Sequence, residues 1–576
     1  MAAGQGEAPV PVASGDLDLR AERLGPLPIL NHLLGRMEVD GLLDRFVPTK
    51  DRRCRLDWAK ALGVLLRSII VEREAIYRQQ ETVAAFADDA FGLARDEIDV
   101  LGDDHIGRAL DRLFDADRGS LLTEIVVSAG KRFALRFDEF HNDSTTIRFC
   151  GQYRRAQGRK IRGKQAPFIT YGFSKDHRPD LKQLLFILTT SRDGGVPIQF
   201  RCEAGNRTDS RTHEETWEIL KSVAGTEKFL YVADSKLCSG EAMDHIDTRG
   251  GRFVTVLPRS RREDQRFREW LQKNEPAWET VRDRPHPRRR KGPRDIWKVF
   301  CEKLPSGEGW PIVWVSSSLL RSRQIQSREE RLTLAQQELE RLSAQISGPK
   351  PRRRSRAQIE LRIEQILLKT HCARYIVTDV QQVAEHRFRQ ERPGRPTSAT
   401  LYRRKSKLRW KIGWAINQAK VAYDRKSDGM YPLLTNDRAL TPSQVLEAHK
   451  RQPMIEKRFE QTKTVFEIAP VFLKNEARIE ALFFVYFLTM LVQGLLEREI
   501  RMAMKRIGLA ALPLYPEERR TRRPTAEQIL RLFAHVQRHV LVQGGRDARV
   551  FEPKLTDLQR QVLGLLGIPE AYRTRP

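Results

Sequence analysis

A chain of 576 residues with 31% charged and 40% hydrophobic content can build several domains around a large buried core, under a heavily ionised surface. Lys and Arg number 103 against 75 Asp and Glu, a formal net charge of +28 that calls for a polyanion; nucleic acid fits, since each Lys or Arg at a phosphate releases counterions. The six cysteines form no CxxC pair, which argues against a zinc ribbon and a disulfide framework and suits a reducing cytosol.

Residues 1–23 read as a disordered lead, with no basic segment running into an apolar core and hence no signal peptide. From Leu24 to Gly130 apolar residues recur at helical spacing, as in Trp58, Leu62, Leu65, Leu66, Ile69 and Ile70, and again in Ile106, Ala109, Leu110, Leu113 and Phe114. A helical N-terminal domain over 24–130 is expected. Beyond Lys131 the texture changes to short runs that read as strands: Phe133–Phe137, Ile147–Cys150, Leu184–Leu188, Phe229–Ala233 and Phe253–Leu257. Buried strands with helices between them predict an α/β core, its first part over 131–257.

An insertion over 258–428 interrupts that pattern. Asp295–Phe300 and Pro311–Val315 predict two facing strands. Leu332, Ala335, Leu339, Leu342 and Ile346, then Ile359, Ile363 and Ile366, predict an antiparallel helical hairpin about the basic break at 348–354. Trp297, Trp310 and Trp314 read as core of the inserted sheet, the alternative being stacking on a flipped base. The basic runs His286–Lys291 and Pro351–Arg356 are either solvated faces or DNA contacts.

Core character resumes over 429–500. Thr441-Pro-Ser-Gln444 is a capping box with Pro at the first helical position. Pro453 either kinks that helix or opens a second one just before Glu456. Ala481–Val492 is apolar but shorter than the ~20 residues that span a bilayer, so it reads as a helix buried on all sides and no membrane partner is expected. Residues 501–576 read as a helical C-terminal region, with a further capping box at Thr525-Ala-Glu-Gln528.

Phosphodiester transfer needs hard divalent cations held by oxygen ligands, and remote carboxylates that converge in space supply them. Asp234 ends the run Phe229–Ala233, at the sheet rim where open α/β folds place ligands. Asp143 lies in Asn142-Asp-Ser-Thr-Thr146, just beyond an apolar strand, with Asp138 as its nearest rival. Glu456 lies in Met454-Ile-Glu-Lys-Arg-Phe459, where Ile455, Phe459 and Phe466 bury one helical face and Glu456, Glu460 and Lys463 share the next. His141, His177 and His213 give no transition-metal spacing.

The words around these acids resemble a known family. Asp143-Ser-Thr-Thr146, Gly172-Phe-Ser-Lys-Asp-His-Arg-Pro-Asp-Leu-Lys-Gln183, Glu203-Ala-Gly-Asn-Arg-Thr-Asp209, Val232-Ala-Asp234 and Gln452-Pro-Met-Ile-Glu-Lys-Arg-Phe459 with Lys463 resemble, in order, the motifs of bacterial insertion-sequence DDE transposases of the IS-four type. Gly102–Asp111 resembles the helical N-terminal region of one branch. One departure stands out: the Tyr-x-x-Arg-x-x-x-Glu-x-x-x-x-x-x-Lys signature would put Tyr and Arg where this chain has His449 and Gln452.

The resemblance implies an RNase H-like mixed five-stranded core, split by the insertion and preceded by a helical, DNA-end-binding domain. It implies cut-and-paste transposition in the bacterial cytoplasm, at the nucleoid. Asp143, Asp234 and Glu456 would be catalytic and would hold Mg²⁺, with Mn²⁺ able to substitute. Lys463, Lys450, Arg451, Lys175 and Arg178 would contact DNA. The partners would be double-stranded DNA, as terminal inverted repeats and as target, with a homodimer assembled on it. The rivals are a catalytically inactive, transposase-derived DNA-binding protein and an RNA- or ribosome-binding protein that charge alone would support.

Overall fold

The computed structural model describes residues 17–154, 156–172, 178–207, 212–286, 292–347, 355–461, 473, 475–544 and 546–573. The basic runs at 287–291 and 348–354, and with them Lys175 and Lys463, lie outside the described residues. Two compact units result: 1–255 with 448–576, and 256–447.

In the first unit, the lead expected through residue 23 gives way to strand β1, Leu17–Arg23. Helices then alternate with short connections up to Arg132, among them Trp58–Val71 and Asp103–Asp115, each burying an apolar stripe. Phe133–Phe137 is not a strand. The helix Arg118–Arg132 closes through Phe133, Ala134 is left-handed (φ 47°), and the Leu135 amide donates back to the Gly130 carbonyl. Phe133 and Leu135 are buried to seal this helix end, which mimics a strand's alternation.

One unbroken strand, β2, runs over Glu139–Phe149 and absorbs the separate Ile147–Cys150 segment. The tiny pair β3 (Lys160–Ile161) and β4 (Lys164–Gln165) follows, then β5 (Lys182–Ser191), β6 (Pro197–Ala204), β7 (Leu230–Ala233) and β8 (Arg252–Val256). Within this unit the order is β6-β5-β2-β7-β8. β2–β5 and β5–β6 are antiparallel, while β2–β7 and β7–β8 are parallel, giving a mixed α/β fold. Helices Thr212–Ala224 and Gly240–Thr248 carry the crossovers that parallel pairing requires.

The apolar run at Ala481–Val492 belongs to a far longer helix, Glu476–Arg506. By length and composition it could cross a membrane, yet 89% of its most apolar window is buried inside the protein. It extends past the apolar run because its charged residues find internal partners: Arg478 on Asp111 at 2.8 Å, and Arg498 on Asp193 at 2.6 Å.

The second unit holds β9 (Glu279–Arg284), β10 (Asp295–Cys301) and β11 (Ile312–Ser317), the last two facing each other antiparallel as expected. Trp297 and Trp314 are buried there, their indole N–H groups donating to Asp295 and Glu302, which makes them core. The helical hairpin is Ser318–Ser347 with Arg356–Lys369. Its apolar seam also packs Ile376, Val380 and Ile412, which belong to an unanticipated pair of 15-residue strands, β12 (Ile376–Gln390) and β13 (Tyr402–Ile416). β14 (Met430–Thr435) closes the unit's sheet against β11.

Back in the first unit, the C-terminal region is not wholly helical. β15 (Gln537–Gln543) and β16 (Arg546–Phe551) form a three-stranded sheet with β1. Alternation there is weak because β16 is exposed along its whole length, so the sequence carries no buried face to read.

Candidate active site

Asp143 sits in the middle of β2 rather than beyond a strand. β2 and β7 run parallel with Asn142 opposite Ala233, so the next position on each strand is Asp143 and Asp234. Adjacent strands lie ~4.8 Å apart, which makes the two aspartates immediate neighbours. Both are half-buried. The Ser144 amide donates to Asp143 Oδ1 at 2.7 Å, and the Lys236 amide donates to Asp234 Oδ1 at 3.0 Å. Thr255 Oγ1 donates to the Asp234 carbonyl at 2.6 Å, fixing the backbone just past β7. Asp138 precedes β2, exposed, with Arg192 at 3.6 Å. At ~3.3 Å per residue it lies about 16 Å down the strand from Asp143.

Pro453 opens a second helix, Pro453–Glu460, which packs against β2 and β5. Ile455, Arg458 and Phe459 are buried and Glu456 is exposed. The neighbours of Glu456 hold this helix in place. Arg458 donates to the Gly195 carbonyl at 2.9 Å, while Lys457 and Arg458 each reach the buried Glu497 at 3.1 Å. Burial pushes the Glu497 carboxyl up, but Arg458, Lys457 and Arg501 outweigh that and hold it below the usual range. The preceding helix, Pro442–Arg451, starts on the expected box: the Gln444 amide donates to Thr441 Oγ1 at 3.3 Å, and the Thr441 amide to Gln444 Oε1 at 2.8 Å.

Among the expected DNA contacts, Arg451 is engaged inside the chain. It forks onto the buried Glu139 at 2.6 and 2.7 Å. Glu139 in turn accepts from His141 Nε2 at 2.8 Å. Burial pushes Glu139 up, but the hydrogen bonds from His141 and Arg451 win and hold its pKa at about 2. Glu139, His141 and Asp143 alternate along β2 and so share one face of the sheet. His449, where the signature would have Tyr, is pushed down to about 4 by burial first and then by the nearby Lys450 and His141. Lys450 is half-buried, and Arg178 is exposed and forked onto Asp180 at 2.8 and 2.7 Å.

This polar line was missed in the sequence. The spacing Glu139-x-His141-x-Asp143 inside a strand was its one signal. His141 serves Glu139, and the buried His213 has Tyr231 at 2.9 Å.

Asp143 on β2 and Asp234 just past β7 are hard oxygen donors of the kind a divalent cation takes. Among the described residues, however, no three His, Cys, Asp or Glu side chains are gathered closely enough to hold a metal ion. Glu456 is therefore not drawn together with the aspartate pair.

The family described as the transposase DDE domain matches residues 139–492, from the first residue of β2 into the long buried helix. A comparison with curated proteins finds no match. With more than half its length matched, and the two strand aspartates side by side within the matched segment, the chain belongs to the transposase DDE domain family.

Proposed function

We propose that this transposase acts by cut-and-paste on double-stranded DNA, as a member of the IS-four type, with Asp143, Asp234 and Glu456 as its acids. The observation that carries the reading is the register that sets Asp143 beside Asp234. The strand order β6-β5-β2-β7-β8, three strands antiparallel and the last two parallel to β2, supports an RNase H-like core.

Asp143 and Asp234 would hold Mg²⁺, or Mn²⁺ in its place, and Glu456, which stands apart from them in this structure, would have to join them from the helix that packs on β2. A pair of such cations would stabilise charge on the attacking and leaving oxygens. The protein's own part is positioning. Arg451 and Glu139 tie the chain entering the glutamate helix to β2, and Glu497 clamps the helix through Lys457 and Arg458. A water oxygen attacks the phosphorus at the element's end and the 3′-oxygen leaves as a hydroxyl. That 3′-hydroxyl then gives up its proton and attacks a target phosphorus, whose own 3′-oxygen leaves as a hydroxyl, so one phosphodiester replaces another and no ATP is needed.

Contacts to the DNA ends fall to Lys450, Arg178, Lys175 and Lys463, with Arg451 acting through Glu139. A homodimer would assemble on paired ends, in the bacterial cytoplasm at the nucleoid. The test is cleavage of a DNA fragment carrying the element's terminal repeat, with Mg²⁺. Binding without cleavage under every divalent ion would favour an inactive, transposase-derived DNA-binding protein.

A further inference from the structure

β12 and β13 pair in unbroken register from Ile376–Ile416 to Gln390–Tyr402, a two-stranded ribbon about 50 Å long at ~3.3 Å per residue. Only its base is packed: Ile376, Val380 and Ile412 join the helical hairpin's core. From Val383 outward almost every residue of both strands is exposed. An isolated hairpin in water is marginal, so an outer half built this long needs a reason.

Directly paired residues point to the same face. On one face Arg387 is paired with Lys405 and Arg389 with Arg403. Like charges directly opposite are destabilising, and here two such pairs are consecutive. Glu385 offers these cations a carboxylate, 3.3 Å from Arg387 and 2.6 Å from Arg409. Between Glu385 and Lys411 ten Lys and Arg stand against two Glu. Lysines on a free edge discourage strand addition, but that device needs no stacked cationic pairs across the ribbon. The opposite face is mixed: Phe388 (66% exposed), Leu408 (64%) and Tyr402 (50%) stand there with Arg404, His386 and Ser406.

We infer that this ribbon is a DNA-binding arm that lies in the major groove of a duplex, setting Arg387, Arg389, Arg403 and Lys405 against phosphates. A groove about 12 Å wide admits a two-stranded ribbon. Phosphates lining the groove relieve the opposed cations on the face turned to the duplex. The arm needs DNA as partner but not the cleavage mechanism proposed above.

The test measures affinity of the full chain for a generic duplex across salt concentrations, without divalent ions, so that the acidic site plays no part. The variant Arg387→Gln, Arg389→Gln, Arg403→Gln, Lys405→Gln should weaken binding. It should also flatten the log K against log salt slope by ~0.9 per lost phosphate contact, up to about 3.6. A control of equal charge, Arg323→Gln, Arg341→Gln, Arg362→Gln, Lys369→Gln on the helical hairpin, should leave the slope near the parent's. A second variant replaces residues 386–406 by Asn-Gly, joining the paired Glu385 and Lys407 through a tight turn, and should lose at least as much affinity. Equal losses in ribbon and control variants would reduce the effect to net charge and overturn the arm. So would an unchanged slope, or an equal loss for single-stranded DNA. A change of oligomeric state on ribbon deletion with duplex affinity intact would make the occupant a second copy and overturn it too.

Discussion

Arg451 and Glu139 form a forked ion pair, at 2.6 and 2.7 Å, between the last residue of one helix and the first residue of the strand that carries Asp143. Glu139 is almost wholly buried, so the guanidinium is its main source of compensation besides His141. Arg451→Met should therefore destabilise the protein by about 3 kcal/mol, the cost of a buried charge that loses its main partner. Glu139→Gln with Arg451→Met should cost less than the two single changes summed, since each single change strands the other partner. Chemical denaturation of the four proteins measures this directly, and additive losses would count against the pairing.

Acid should weaken the fold in two windows. His449 is held neutral down to about pH 4, against an ordinary value near 6.5. Below 6.5 the unfolded chain takes up a proton that the folded chain refuses, so stability falls as pH drops from 6.5 towards 4. Glu139, held at about 2, keeps its charge in the fold after the unfolded carboxylate has been protonated. Its contribution is complete above about 4.5 and is lost as pH falls towards 2. His449→Phe should flatten the upper window and leave the lower one, as read from unfolding free energies at a series of pH values.

Glu497 is buried among Lys457, Arg458 and Arg501, and its Oε1 accepts from the Ala526 amide. Glu497→Ala should leave these cations without their common anion and cost about 3 kcal/mol. Cleavage should fall further than the lost folded fraction explains, because the helix bearing Glu456 is no longer clamped. Activity that tracks the folded fraction alone would leave Glu497 a purely structural group.

Divalent ions should separate binding from chemistry. Mg²⁺ and Mn²⁺ should support cleavage of a terminal-repeat fragment, whereas Ca²⁺, with its looser and higher coordination, should support binding only. Cleavage at full rate in a chelator would contradict a metal-dependent mechanism.

Where side chains are buried on a regular face, the sequence is readable. The run ending before Asp234 is β7 to within a residue, and the boxes at Thr441 and Thr525 open helices as their spacing requires. Reading fails where burial and polarity part company. Glu139 and His141 are polar yet buried, with Glu139 accepting from both His141 and Arg451, so β2 lacks the apolar alternation that marks a strand. β12 and β13 fail in the opposite sense: their outer halves bury nothing, so no hydrophobic period exists there. The neighbourhood of Asp143 and Asp234 is a matter of strand register, which depends on contacts between segments remote in sequence.

One set of substitutions tests whether Asp143, Asp234 and Glu456 are the acids of the site. Asp143→Asn, Asp234→Asn and Glu456→Gln each keep the side chain's size and remove the charge that would hold a cation. Each should abolish Mg²⁺-dependent cleavage while leaving end binding and folding intact, and pairs of them should be no worse than one. Asp138→Asn, at the far end of β2, should cleave like the parent. Loss of cleavage in Asp138→Asn with normal cleavage in Asp143→Asn would contradict the choice of first acid. Parental cleavage by all four variants would contradict the DDE mechanism for this chain.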